Sequence, residues 1–195
     1  MMQVNLEDLL IYLMDKYLAL LAGIIFLIPG LIIAIAIKIS SKGAVLYWSN
    51  RVGKDGILFS MPKFRTMVQD TPTIATDLLE NPRQFITPVG SFLRRTSLDE
   101  LPQLWCILRG QMAIVGPRPA LFNQHKLIAL RETLGVNSLI PGLTGWAQIH
   151  GRDELSEEDK AYLDAHYLRI RSLGINIFII WKTFLMVIRG ESISH

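Results

Sequence analysis

From Tyr17 to Ile37 the chain runs for 21 residues without a charge, YLALLAGIIFLIPGLIIAIAI. As a straight helix rising about 1.5 Å per residue, this stretch would cover roughly 30 Å, the thickness of a bilayer core. A cleaved leader does not fit, because the residues ahead are acidic (Glu7, Asp8, Asp15) and no small-residue cleavage site follows. The segment therefore reads as membrane-inserted. Pro29, followed by Gly30, stands near its middle. Proline removes one backbone hydrogen bond and crowds the preceding turn, at a cost of about 3 kcal/mol in an ordinary helix interior. In hydrocarbon the carbonyl it frees, that of Ile25, needs another partner. Two outcomes are open: a kinked helix that spans, or a helix that bends back to the side it entered. Lys16 stands alone upstream while Lys38, Lys42, Arg51 and Lys54 follow, which leans toward a span with the N-terminus outside. Either outcome leaves the bulk of the chain in the cytoplasm.

The 195 residues suffice for one domain with an appendage. The division expected is 1–42 as the membrane-inserted segment and 43–195 as a membrane-associated domain on the cytoplasmic face. Net charge is only +3 and no dense Lys/Arg run occurs, which argues against a nucleic-acid partner. The single cysteine, Cys106, excludes an internal disulfide and reads as a packing residue between Trp105 and Ile107. No glycine-rich phosphate loop, Ser-His-Asp order or Cys/His metal cluster can be assembled, and the four histidines are scattered.

Residues 44–61 read as a β-hairpin around a turn at Gly53-Lys54-Asp55-Gly56, with Lys63-Phe64-Arg65-Thr66 as an extended basic strip behind Pro62. Residues 68–87 read as a surface excursion with one helical turn at 76–80. A helix opening on Asp99-Glu100 and ending near Leu108 would align Leu101, Leu104, Trp105 and Leu108 in one apolar stripe. Further helices are expected from Pro119 to Leu134, stopped by Gly135, and from Ser156 to about Arg171. The last, Ile175 to Ile188, is apolar nearly all round but too short to span, so it is buried or lies along an interface. The fold class is α+β, mostly helical: a broken membrane helix, a small hairpin, and interfacial amphipathic helices around a compact cytoplasmic domain.

The stretch from Arg94 to Arg109 concentrates reactive groups more than any other. Two adjacent carboxylates, Asp99 and Glu100, precede eight uncharged residues and are bracketed by Arg94, Arg95 and Arg109. On a helix, neighbouring side chains diverge by about 100°, so one carboxylate can attack while the other holds a metal or orients a group. A helix cap accounts for the same pair without chemistry. Arg118 sits between Pro117 and Pro119, whose stiff backbone would pre-orient a planar fork suited to phosphate. Lys63 and Arg65 alternate on an extended strip and share one face, either toward a ligand or as a solvated edge.

Taken in order, several stretches resemble the bacterial sugar transferase family, the monotopic phosphoglycosyl transferases. They are Arg51-Val52-Gly53-Lys54-Asp55-Gly56, Lys63-Phe64-Arg65-Thr66-Met67, Ser97-Leu98-Asp99-Glu100-Leu101-Pro102-Gln103-Leu104, Val115-Gly116-Pro117-Arg118-Pro119, Pro141-Gly142-Leu143-Thr144-Gly145-Trp146-Ala147-Gln148 and Gly151-Arg152. The resemblance implies transfer of a sugar 1-phosphate from a UDP-sugar to polyprenyl (undecaprenyl) phosphate, with release of UMP, as the first membrane step of a bacterial glycan. It implies Asp99 as nucleophile, forming a phosphosugar–aspartyl intermediate, and Glu100 as the ligand of Mg²⁺. Arg118, Arg94, Lys63, Arg65, Arg152 and Gln103 become the candidates for phosphate and nucleotide contact. It also favours a re-entrant segment broken at Pro29, on the inner face of the cytoplasmic membrane. Oligomeric state is left open by the sequence, with a homodimer one candidate. The chain departs from the family pattern at Ile28, where a small polar residue is usual, and at His150-Gly151-Arg152-Asp153. The competing reading is a non-catalytic membrane module that binds a lipid phosphate through its arginines.

Overall fold

The computed structural model describes residues 5–69, 71, 84–151 and 154–189. The architecture is mostly helical, with two small two-stranded sheets. Helix α1 (Leu6–Ile25) begins at Asn5, whose side chain accepts from the Glu7 backbone N–H. Helix α2 (Leu27–Ser40) comes next after a 60° bend. The interruption falls at Phe26 rather than at Pro29 itself, which lies in the first turn of α2. The cause is local. A proline ring collides with the carbonyl four residues back, so helical continuity fails between Ile25 and Pro29, while the first turn of a new helix tolerates the missing N–H. Among the described residues no single helix is long and apolar enough to cross a membrane; this bent pair is, taken together.

Both ends of the bent pair pack on the rest of the molecule. Along α1 the buried residues Ile11, Asp15 and Ala19 recur at every fourth position. Asp15 accepts from the Ile114 N–H at 3.2 Å, Lys16 donates to the Ile107 and Leu108 carbonyls, and Glu7 accepts from the Leu173 N–H at 2.8 Å. From α2, Ile33 and Ile37 close a core with Phe64 and Leu93. Between these anchorages Leu20, Ile24, Leu27, Ile28 and Leu31 stand exposed. The N-terminal helices thus share their cores with the hairpin and with the helices beyond it.

The hairpin forms where turn chemistry demands it. Strands β1 (Leu46–Val52) and β2 (Leu58–Phe64) pair antiparallel, Leu46 opposite Phe64 and Val52 opposite Leu58. Asp55 and Gly56 take φ of 55° and 76° in the turn, a region where aspartate and glycine are at home. Pro62 is accommodated because a two-stranded sheet has only edges. Lys63 thereby belongs to the hairpin instead of trailing it.

Helix α3 (Pro88–Arg95) is capped by Thr87, whose hydroxyl accepts from the Gly90 N–H. The expected α-helix on Asp99 is different in kind. Ser97 reverses the chain with φ 55°, residues Leu98–Gln103 form a 3₁₀ turn, and only Leu104–Leu108 (α4) are α-helical. Asp99 is therefore not a helix cap. Pro102 accounts for the tighter winding, since an α-turn would drive its ring into the Leu98 carbonyl. The apolar stripe fails with it, because a 3₁₀ turn advances about 120° per residue. Cys106 and Ile107 face the core, while Trp105 and Leu108 are exposed.

Strands β3 (Ala113–Val115) and β4 (Gly142–Thr144) form a parallel pair that the sequence did not announce. Gly116, Gly142 and Gly145 make it possible: a Cβ on Gly142 would lie 2.1 Å from the Gly116 nitrogen, and one on Gly145 2.1 Å from the Gly116 oxygen. Between these strands runs α5 (His125–Thr133), stopped as expected at Gly135 with φ 74°. It starts six residues later than Pro119, because Pro119 and Ala120 spend their carbonyls on β1 instead. Helix α6 (Glu157–Ile170) carries its Ser156 cap. Helix α7 (Leu173–Arg189) buries Asn176 and Ile179 and exposes Ile177, Trp181, Phe184 and Ile188. The helical turn expected at 76–80 lies outside the described residues.

Candidate active site

Three separate elements deliver charge to one place. The 3₁₀ turn supplies Asp99 and Glu100, β2 supplies Lys63, and the loop after β3 supplies Arg118. Glu100 Oε1 accepts from Lys63 Nζ and from Arg118 Nη2, each at 2.8 Å. The carboxyl is 11% exposed, Lys63 17% and Arg118 35%, so the arginine is the member that solvent reaches. Arg94, at the end of α3, donates from Nε to Thr66 Oγ1 and lies within electrostatic reach of Asp99.

The environment drives the two carboxylates apart. Burial pushes the Asp99 carboxyl above the ordinary range and Glu100 pushes the same way, while Lys63, Arg118 and Arg94 pull back. For Glu100, burial also opposes ionisation, but the charges and hydrogen bonds of Arg118 and Lys63 reverse it and hold the carboxyl below its ordinary value. One carboxylate is thus ion-paired and weakly basic; its neighbour is the more basic of the two. Burial likewise lowers Lys63, with Glu100 opposing. Among the described residues, Lys63, Arg94, Arg118 and Arg51 bring positive charge to these two acids. Burial, with the Arg118 charge, lowers Arg51 to about 10, which leaves it charged at neutral pH. The surplus of positive charge suits a substrate with several phosphate charges.

One candidate from the sequence, Arg65, lies elsewhere. Arg65 is buried and donates to the Ser41 and Lys42 carbonyls and to Ser41 Oγ, so it closes the C-terminal end of α2. The strand ends at Phe64, and the alternation that would have put Arg65 beside Lys63 ends with it. Gln103 is fully buried, one turn beyond Asp99, with Nε2 unpartnered among the described residues. Arg152 falls outside the described residues. Pattern reading missed Arg51, Arg131 and Asp164, which bond around the Arg118 backbone. The available signal was a charge on an apolar face, Arg131 four residues after Leu127.

No three His, Cys, Asp or Glu side chains converge among the described residues. The hard carboxylate of Glu100 fits a Mg²⁺ ion, which takes one or two protein carboxylates and completes its shell with water and phosphate oxygens. Glu100 Oε1 is shared between two cations, so an ion there would use its other oxygen.

A sequence profile described as bacterial sugar transferase matches residues 6–190. A UDP-glucose:undecaprenyl-phosphate glucose-1-phosphate transferase of Escherichia coli is 42% identical over 81% of this chain and 35% of its own length. The UDP-galactose-lipid carrier transferase of Erwinia amylovora is 36% identical over 88% of this chain and 39% of its own. The exopolysaccharide production protein ExoY of Sinorhizobium fredii is 35% identical over 87% of this chain and 81% of its own. This chain therefore spans little more than a third of the first two and most of the third.

Proposed function

The chain belongs to the bacterial sugar transferase family, and from that premise we propose that it moves a sugar 1-phosphate from a UDP-sugar to polyprenyl phosphate. Asp99 attacks the sugar-bearing phosphorus; the bond from that phosphorus to the bridging oxygen breaks, and UMP leaves with the electron pair. A phosphate oxygen of the polyprenyl acceptor then attacks the same phosphorus, breaks the acyl phosphate and restores the carboxylate. Dividing a transfer between two anions into two steps is the usual gain of covalent catalysis. The observation that carries this reading is the opposite displacement of the two neighbouring carboxyls. Glu100 is held as an ion-paired anchor, and Asp99 is left the more basic of the two.

The remaining residues take roles set by their positions. Arg118, the most exposed cation of the trio, meets the diphosphate, with Lys63 behind it and Arg94 beside Asp99. Mg²⁺, held through Glu100 and the substrate oxygens, would neutralise the diphosphate. An incoming diphosphate competes with Glu100 for both cations. Incubation with a panel of UDP-sugars and polyprenyl phosphate should release UMP with at least one of them. No release from any would remove the reading.

The polyprenyl acceptor is a lipid, and the exposed apolar surface suits a bilayer. Both ends of the α1–α2 pair are fastened to the same body, and the bare apolar bend projects between them. That arrangement supports a segment that enters and leaves on one face. The stripe Ile177, Trp181, Phe184 and Ile188 on α7 has the spacing of a helix lying in the interface. In the bacterial cytoplasmic membrane, a cysteine introduced by Gln3→Cys should resist an impermeant reagent applied from outside. Labelling from outside would establish a spanning helix instead.

A further inference from the structure

The loop that carries Arg118 is held in an unusual way. Prolines 117 and 119 offer no N–H, so the loop is fixed through its oxygens. Four successive carbonyls each accept a hydrogen bond: Pro117 from the Gly142 N–H at 2.9 Å, Arg118 from Arg131 Nη1 at 2.9 Å, Pro119 from Arg51 Nη1 at 3.1 Å, and Ala120 from the Val52 N–H at 2.9 Å. Two of the four donors are guanidinium groups from different elements, α5 and β1.

Each guanidinium is itself oriented. Arg131 donates from Nε and Nη2 to Asp164 Oδ2 on α6, at 2.9 and 2.6 Å, and the pair is 7% and 1% exposed. Arg51 donates from Nε to the buried Ser49 hydroxyl at 3.1 Å. A buried ion pair adds little net stability over apolar side chains of the same volume. Its presence between α5 and α6, whose Leu127 and Ala161 share an apolar core, therefore calls for a geometric job. The bond to the Arg118 carbonyl supplies one.

We propose that Arg131, oriented by Asp164, and Arg51 are positioning residues that fix the Arg118 backbone so that its guanidinium is aimed at the phosphate site. This rests on the functional reading above. Arg131 acts through the Arg118 carbonyl and Arg51 through the Pro119 carbonyl next to it. Arg51 also adds its charge to the field at Glu100, so the Arg131 arm is the one that isolates positioning. An arginine so fixed loses little rotational freedom on gripping a phosphate, and a displacement of about 1 Å costs up to a hundredfold in rate.

A double-mutant cycle tests the claim. Arg131→Lys keeps a buried positive charge but loses the planar fork whose separate nitrogens reach Asp164 and the Arg118 carbonyl. Arg51→Met removes the second grip at a part-buried site. Each is made in the wild type and in Arg118→Met, and kcat/KM for the UDP-sugar is measured. In the wild-type background each is expected to lower kcat/KM about tenfold, and in the Arg118→Met background less than about twofold. Equal factors in both backgrounds would mean a merely structural role and overturn the proposal. If Arg131→Lys shows no cooperative melting, the Arg51→Met cycle decides. If Arg118→Met turns over too slowly to measure, the dissociation constant for UDP gives the same cycle. A wild type that neither turns over UDP-sugars nor binds UDP would sink the functional reading and the positioning role together; turnover with equal factors sinks the positioning role alone.

Discussion

Asp99→Asn is expected to abolish turnover and to melt higher than the wild type at pH 8. The loss of rate should be on the order of 10⁴-fold or more, the scale seen when a nucleophile is removed. The gain in stability has a separate cause. Burial raises the Asp99 carboxyl above its unfolded-state value, so the folded protein binds that proton more tightly than the unfolded chain does. Ionisation therefore costs stability, and the cost grows as pH rises through the folded value. Asparagine removes it. The advantage in melting temperature should be greatest above neutrality and fade in acid, where the wild-type carboxyl is protonated. A non-catalytic scaffold would show the same stability change while keeping its ligand binding, so turnover and melting must be read together. By the same sign, wild-type activity should fall with decreasing pH at values above the usual carboxylate range. Retained UMP release in Asp99→Asn would end the covalent mechanism.

Glu100→Gln is the second large effect, and it runs the other way in stability. Lys63 and Arg118 meet on one carboxylate oxygen, and a neutral amide leaves them facing each other with Arg51 nearby. Breaking a fully buried pair costs about 3–5 kcal/mol. The exposures of Lys63 and Arg118, 17% and 35%, bring the expectation down to about 2 kcal/mol, or roughly 4–8 °C in a chain of this size. Because Glu100 is held below its ordinary value, this stabilisation is fully present above the usual carboxylate range and is lost as pH falls below that range toward the depressed folded value. Activity should drop about 10²–10³-fold, since the cations lose their alignment and the carboxylate is gone. Glu100→Asp, which keeps the charge on a shorter stem, should recover much of the melting temperature and little of the rate. A Glu100→Gln protein as stable as the wild type would show that the trio contributes nothing to the fold.

How much of this could be read from the sequence depended on the range of the interaction involved. The hairpin was legible because Gly53-Lys54-Asp55-Gly56 sits between apolar runs and the required positive φ falls on Asp55 and Gly56. The Ser156 start of α6 and the stop at Gly135 were legible for the same reason, each being a local demand met by a local residue. The role of Pro29 could be foreseen but its position could not, since the ring interrupts the helix one turn upstream. Pro102 acted similarly, turning an expected α-helix into a 3₁₀ turn and rotating Trp105 out of the core. The β3–β4 pair was hidden because three-residue strands carry no period and their partners lie 29 positions apart.

The candidate site divided along the same line. Asp99, Glu100 and Arg118 stood out because their neighbours in the chain are unusual. Lys63 and Arg65 looked equivalent in alternation, yet the end of the strand sent one to Glu100 and the other to Ser41 and Lys42. Arg51, Arg131 and Asp164 act through contacts between 13 and 68 positions apart in the chain, and no local pattern reports those.

The most direct measurement is the mass of the intact protein after incubation with a UDP-sugar in the absence of any polyprenyl phosphate, together with mapping of the modified peptide. The expected result is an added sugar phosphate on the peptide containing Asp99, formed with one equivalent of UMP, absent from Asp99→Asn and discharged when the acceptor is supplied. Full turnover with acceptor present, but no adduct and no UMP from donor alone, would contradict the covalent role of Asp99.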